Sequence, residues 1–172
     1  PPSDFVQSSL SSPSPVSTPV SLESINPIPT PSPTSCVRQT VADNGNLLPT
    51  TSRYVDGYPT RFNNGYSKIM VDNSRNNTDM LVKLYRLDSE FSDPARIIFL
   101  ESGAQFVFAD LEPGKYDLRY KDLSSCQIVR TEELTVNEFE TMTSIRASSI
   151  TVTLYKVMGG NMETYIIDEN DF

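Results

Sequence analysis

From residue 66 onward, hydrophobic and polar residues alternate with a period of two. In KYDLRYKD, Tyr116, Leu118 and Tyr120 fall on one side, and Lys115, Asp117, Arg119 and Lys121 on the other. This is the pattern of a strand with one face buried and one in water. The same reading places strands at 66–71, 80–87, 96–100, 105–110, 126–136, 150–157 and 162–168, with a weaker one across 139–146. Turn formers separate them: Asp72-Asn73, Asp93-Pro94, Ser102-Gly103, Pro113-Gly114, Asn137 and Gly159-Gly160-Asn161. Short strands at this spacing, with no amphipathic helix of ten or more residues, predict an all-β fold, an antiparallel β-sandwich of seven to nine strands.

Two turns are specified closely. Pro113 presets φ at about −65°, Gly114 takes the positive φ of the next position, and the chain reverses into a strand led by Tyr116. Gly159 and Gly160 supply the positive φ values of a tight hairpin, so 150–157 and 162–168 are predicted to pair as a terminal hairpin.

The first third of the chain reads differently. Nine of the 13 prolines lie between Pro1 and Pro33, among Ser and Thr, with only Asp4 and Glu23 as charges. Residues 1–35 therefore read as an extended Pro/Ser/Thr-rich linker or assembly arm, too poor in apolar side chains to fold alone. Val16, Val20, Leu22, Ile25 and Ile28 are its side chains best able to dock on a neighbouring subunit. Residues 36–65 read as a loop-rich strap, with turns at Asn44-Gly45, Asp56-Gly57, Tyr58-Pro59 and Asn64-Gly65. Its aromatic residues Tyr54, Tyr58 and Phe62 are candidates for contact with a partner. Residues 66–172 are the predicted sandwich domain, and residues 36–172 together are long enough to hold a core without a metal.

Composition narrows the chemistry. The 172 residues contain no His, no Trp and two Cys. Without histidine there is no imidazole base for a Ser-His-Asp or Cys-His site and no ordinary nitrogen ligand for zinc, copper or haem. No cofactor is implied. A net charge of −8 argues against nucleic acid, whose affinity comes from clustered Lys and Arg. No window approaches the apolar length of a membrane span. The first residue is Pro rather than Met, which reads as a processed or excised chain with any signal peptide or anchor upstream.

Cys36 and Cys126 can form a single disulfide tying the end of the arm to a central strand. The alternative is two unrelated thiols in a reducing cytosol. The bridge is preferred because Ser/Pro-rich tails and all-β domains are common where such bonds persist: extracellular, at the cell surface or in the periplasm. Other candidates have ordinary explanations. Asp168, Glu169, Asn170 and Asp171 offer oxygen ligands that suit calcium but lack calcium-loop spacing, and read as a solvated tail. Asp88, Glu90 and Asp93 form an acidic loop, and Asn76-Asn77-Thr78 is a glycosylation sequon. Glu132, Glu133, Glu138 and Glu140 are the carboxylates nearest together for hydrolysis of a glycoside.

Three strings carry a resemblance: DNSRNNTDMLVKLYR, FLESGAQFVFADLEPGKYDLRY and ITVTLYKVMGGNMETYIID. They resemble a small bacterial surface domain and, more widely, are similar to the prealbumin-like sandwich domains of the carboxypeptidase-regulatory and collagen-binding B types. The shared turn here is Leu111, Pro113, Gly114 and Tyr116. The resemblance covers about residues 66–168. It implies a non-catalytic stalk, adhesion or accessory module following a Ser/Pro-rich linker, and it raises an isopeptide bond between Lys83 and Asn161. The expected function is thus an extracytoplasmic structural or interaction module with protein partners, copies of itself included, in a filament or sheath. The competing expectation is a carboxylate-dependent carbohydrate-active enzyme or ligand carrier.

Overall fold

The structure is a computed structural model and describes residues 36–155 and 160–172. The arm residues Val16, Val20, Leu22, Ile25 and Ile28, and Gly159 of the expected hairpin, lie outside the described residues. Twelve strands run through the described part: β1 (Arg53–Tyr54), β2 (Ser67–Asp72), β3 (Met80–Arg86), β4 (Arg96–Leu100), β5 (Gln105–Leu111), β6 (Gly114–Asp122), β7 (Ile128–Thr131), β8 (Leu134–Val136), β9 (Glu138–Glu140), β10 (Ile145–Ala147), β11 (Ser149–Thr153) and β12 (Thr164–Ile166). One 3₁₀ turn, Glu169–Asp171, follows.

The strands form an all-β stack of sheets. A seven-stranded sheet has the order β1-β4-β3-β6-β7-β12, with β8 also pairing β6; a three-stranded sheet has the order β11-β2-β5; and β9 and β10 form a separate hairpin. The extra strands over the seven to nine expected arise locally. Glu132 and Glu133 break the expected strand 126–136 into β7 and β8, 139–146 folds back on itself as β9 and β10, and the strap contributes β1.

Strand alternation divides the core in two. Val82 and Leu84 of β3, Ile98 and Leu100 of β4, and Tyr116, Leu118 and Tyr120 of β6 face Ile69 and Val71 of β2, Phe108 and Leu111 of β5, and Val152 of β11. That is the layer between the sheets. On the other side of the seven-stranded sheet, Leu81, Ile97, Phe99 and Ile128 pack with Ala42 and Val55 of the strap and with Phe172. Both faces of β3 and β4 are therefore covered, which is why RIIFL is a continuous apolar run rather than an alternating one.

Two sequence expectations are corrected here. Among the described residues the two strands of the expected terminal hairpin do not pair with each other: β11 pairs with β2, and in parallel, from Ser149 beside Lys68 to Thr153 beside Asp72. β12 pairs instead with β7 in the larger sheet. The reason is burial, since Val152 and Leu154 reach the inter-sheet core only from a place beside β2, whereas β12 is exposed along its length. Nor is the Pro113-Gly114 turn a hairpin. β5 and β6 belong to different sheets, so the chain crosses between layers there. Gly114 is extended, with φ +159°, and opens β6, while the left-handed residue of this connection is Asp110, with φ +56°. A side chain at Gly114 would press on the Arg86 guanidinium at 2.9 Å. Tyr116 is fully buried, and its hydroxyl donates to the Glu112 carbonyl at 2.9 Å, pinning the crossing.

Asp72-Asn73 does more than turn the chain. The buried Asn73 amide donates to the carbonyls of Thr78 and Glu101 at 2.9 Å. The Asp72 carboxylate accepts from the Ser74 backbone N–H at 2.9 Å and the Tyr155 hydroxyl at 2.8 Å. Burial alone would raise this carboxyl, but the hydrogen bonds from Ser74 and Tyr155 outweigh it and hold the group down at about 2. A carboxyl lowered in the folded state stabilises the fold above its unfolded value, near 4, and loses that contribution as the pH falls toward 2. The contribution is about 1–2 kcal/mol. Urea midpoints of the native chain and Asp72→Asn should differ at pH 6 and converge near pH 2; an equal difference at both pH values contradicts this account.

Candidate functional site

The outer face of the seven-stranded sheet mixes ionisable with apolar side chains. Lys83 and Tyr85 of β3 lie on this side, as do Asp117, Arg119 and Lys121 of β6. The register sets Leu81 beside Lys121, Lys83 beside Arg119 and Tyr85 beside Asp117, and Arg119 beside Arg130 of β7. Alternation predicts these charges in water. Instead Lys83, Asp117 and Lys121 are buried, because the strap and the residues around Phe172 lie across this face.

The covering segments are fastened by those same charges. Lys83 Nζ donates to Asp43 of the strap at 3.0 Å and to the backbone oxygen of Phe172 at 3.3 Å, and stands 4.1 Å from the centre of the Phe172 ring. The Tyr85 hydroxyl donates to the same Phe172 oxygen at 2.8 Å. Lys121 Nζ meets both Glu169 carboxylate oxygens at 2.8 Å, and Arg119 donates to the Asp171 carbonyl. Residues 168–171, expected as a solvated tail, are thus partly a clasp. Lys83 points to Asp43 and Phe172 rather than to Asn161, which lines a different cavity with Tyr120 and Gly160.

Two of the cavities on this face reach the ionisable residues of β3 and β6. One of about 390 Å³ is lined by Tyr58, Pro59, Lys83, Tyr85, Pro94 and Phe172, among others. A smaller one of about 270 Å³ is lined by Asp117, Arg130, Glu132, Glu133 and Tyr165, with Leu87 and Thr131. Burial pushes the Asp117 carboxyl up from the ordinary carboxylate range, against the pull of Arg119 and Arg130.

The other predicted residues disperse. Cys36 and Cys126 form the disulfide, with Cα atoms 5.5 Å apart, joining the start of the strap to the β6–β7 turn. Tyr54 is a packing residue: its ring meets Phe106 edge-on at 5.3 Å, and its hydroxyl accepts from Arg96 at 3.3 Å. Tyr58 is half-buried, its hydroxyl accepting from the Asn44 N–H at 3.0 Å. Phe62, left-handed with φ +55°, lies under the Arg86 guanidinium at 4.4 Å. These three aromatics make no common patch.

The carboxylates also separate. Glu138 accepts from the backbone of Tyr66 and Ser67, Glu133 pairs with Lys115 at 2.9 Å, and Asp88 pairs with Arg86 at 2.8 Å. The Asn76 amide is held by Asn73 and the Leu154 carbonyl. Among the described residues no group of three or more His, Cys, Asp or Glu is placed to hold a metal ion, and no helix is long and apolar enough to cross a membrane. Sequence reasoning missed the Asp117 cavity and the Lys83 clasp. The available signal was Lys83 within MLVKLYR, a strand too apolar on both faces to present a lysine to water.

Compared with family profiles, curated proteins and solved structures, the chain matches none in any of the three searches.

Proposed function

We propose that this chain is a non-catalytic structural and interaction module of an oxidising, extracytoplasmic compartment, and that its Pro/Ser-rich arm contacts a neighbouring copy to build a filament or sheath. The observation that carries the reading is that two of the strands that end a sheet, β12 and β5, present open edges. Among the described residues nothing pairs with the outer side of β12, and β5 ends the smaller sheet. An unpaired strand edge presents main-chain donors and acceptors to an extended segment of another chain. Exposed Val107 on β5, and Tyr165 and Ile166 on β12, add apolar surface beside those edges.

Three further observations support the reading. The disulfide favours an oxidising compartment. Buried charges such as Lys83, Lys121 and Arg96 are engaged within the chain, fastening its segments together. The Leu111, Pro113, Gly114 and Tyr116 string is a folding motif that carries the prealbumin-like resemblance, and it is the resemblance as a whole that implies a stalk, adhesion or accessory module.

Deleting residues 1–35 tests the proposal, because both hydrophobic clusters lie within the remaining chain. Light scattering and electron microscopy of the full chain should show assemblies that the shortened chain does not form. A shortened chain that still polymerises excludes the arm as connector, and a full chain that stays monomeric at every concentration excludes self-assembly.

A further inference from the structure

We propose that the cavity of about 390 Å³ beside Tyr58 and Phe172 is where the proline run 27–33 of a second copy docks. The inference rests on the reading that the arm contacts a neighbour, and it names the segment and the place. Pro27, Pro29, Pro31 and Pro33 stand at every second position, with Ile28, Thr30 and Ser32 between them. Each proline fixes its own φ, and each intervening residue precedes a proline and is kept out of the helical region. The run is therefore predicted to hold a polyproline II conformation before it binds anything, so little ordering entropy opposes its docking. It offers pyrrolidine rings and carbonyl acceptors, and every second residue lacks an N–H.

The cavity has the matching chemistry, since proline-rich segments dock in grooves lined by aromatic rings. Tyr58, Tyr85 and Phe172 share this wall with Pro59, Pro94 and Ile97. Two groups are left to donate to carbonyls. The Tyr58 hydroxyl accepts from the Asn44 N–H at 3.0 Å, and among the described residues its own proton has no acceptor. The Arg61 guanidinium lies over the Phe91 ring at 4.5 Å. Its Nη1 is buried without a partner, and among the described residues none of its nitrogens is hydrogen-bonded or ion-paired. Charge points the same way. Arg61 and Lys83 are matched in the wall by Asp43 and Asp93, and Lys83 is already paired with Asp43, so the wall has no net charge to draw in a simple ion. The run is itself uncharged, Glu23 being the nearest charge in the arm. The volume falls within the range of ligand pockets, about 300–1,000 Å³, and suits roughly one turn, about three residues, of polyproline II.

Fluorescence anisotropy of a labelled peptide of residues 24–35 tests the assignment. The receptor is the full chain carrying Pro27→Ala, Pro29→Ala, Pro31→Ala and Pro33→Ala, whose own arm no longer competes. The peptide should bind saturably, and the same peptide with its four prolines replaced by alanine should bind roughly tenfold more weakly. Adding Arg61→Ala to the receptor removes a side chain without a polar partner. It should weaken the peptide about tenfold with thermal unfolding nearly unchanged. The wild-type chain should take the peptide as readily when dilute, and lose it as light scattering shows assemblies forming. The site is overturned if the peptide does not bind, if the alanine peptide binds as well, or if Arg61→Ala leaves binding unchanged. Assemblies formed by a chain that ignores the peptide would overturn this site and leave self-assembly standing. A dilute, monomeric wild-type chain that already excludes the peptide overturns the second copy as occupant, and so does a wild-type chain that binds the peptide but never assembles.

Discussion

Replacing Cys36 and Cys126 together by serine should lower the unfolding free energy by roughly 4–5 kcal/mol. The bridge spans 90 positions, so the reduced, unfolded chain regains the freedom of a very long loop, and the chain-entropy argument gives its largest values for such loops. The native consequence is equally specific. The start of the strap is held to the sheet by the bridge, by the exposed Arg38 beside Asp79 and by the Asp43–Lys83 pair. The Arg38–Asp79 pair is a surface contact that contributes little, and the Asp43 end of the other pair is exposed. Without the bridge, residues 36–48 should detach ahead of global unfolding, exposing Ala42 and uncovering part of the outer hydrophobic cluster. Urea denaturation measures the first effect, and amide hydrogen exchange of the strap measures the second. A loss below about 1 kcal/mol, with unchanged exchange in the strap, would mean that the covering segment is held by packing alone.

The sequence made some of this legible and hid the rest for identifiable reasons. Tyr116, Leu118 and Tyr120 announced β6 because one face of that strand meets a uniformly apolar layer. RIIFL announced β4 by a run that only a strand covered on both sides can tolerate. Neither pattern says which strand neighbours which. β11 and β12 are close in sequence and carry turn-forming glycines between them, yet Val152 draws β11 beside β2, and a contact 81 residues distant decides the topology. Charged positions misled in a systematic way. The alternation of Asp117, Arg119 and Lys121 is the same whether the far face meets water or a strap bearing Asp43 and a clasp bearing Glu169. Only the partners' positions tell the two apart, and these are set by the disulfide and the fold. The Asp117 cavity was hidden for that reason: the contiguous run from Arg130 to Glu133 supplies part of its wall, but Leu87, Asp117 and Tyr165 join it only through the fold.

Arg96→Met should cost about 3–5 kcal/mol, although it replaces a charge with an apolar side chain of similar length in a protein interior. Arg96 is 3% exposed, and among the described residues its guanidinium has no carboxylate partner. Nε donates to the Arg61 carbonyl at 3.2 Å and Nη2 to the Phe62 carbonyl at 3.0 Å, both in the strap. Nη1 donates to the Ala109 carbonyl of β5 at 2.6 Å and to the Tyr54 hydroxyl at 3.3 Å. One side chain on the larger sheet thus satisfies acceptors from the smaller sheet and the strap. Methionine would leave the Arg61 and Ala109 carbonyls and the Tyr54 hydroxyl without this donor, while the Phe62 carbonyl keeps the Glu112 N–H at 3.2 Å, and a buried acceptor left unpaired costs about 1–3 kcal/mol each before relaxation. Arg96→Lys separates charge from geometry. A lysine keeps the positive charge, but its compact ammonium cannot reach acceptors spread around a planar fork, so it should recover less than half of the loss. Urea midpoints of the three proteins decide the matter. If lysine restores full stability, the residue acts through its charge alone; if methionine matches arginine, the carbonyls find water and the sheets are held together by their apolar layer.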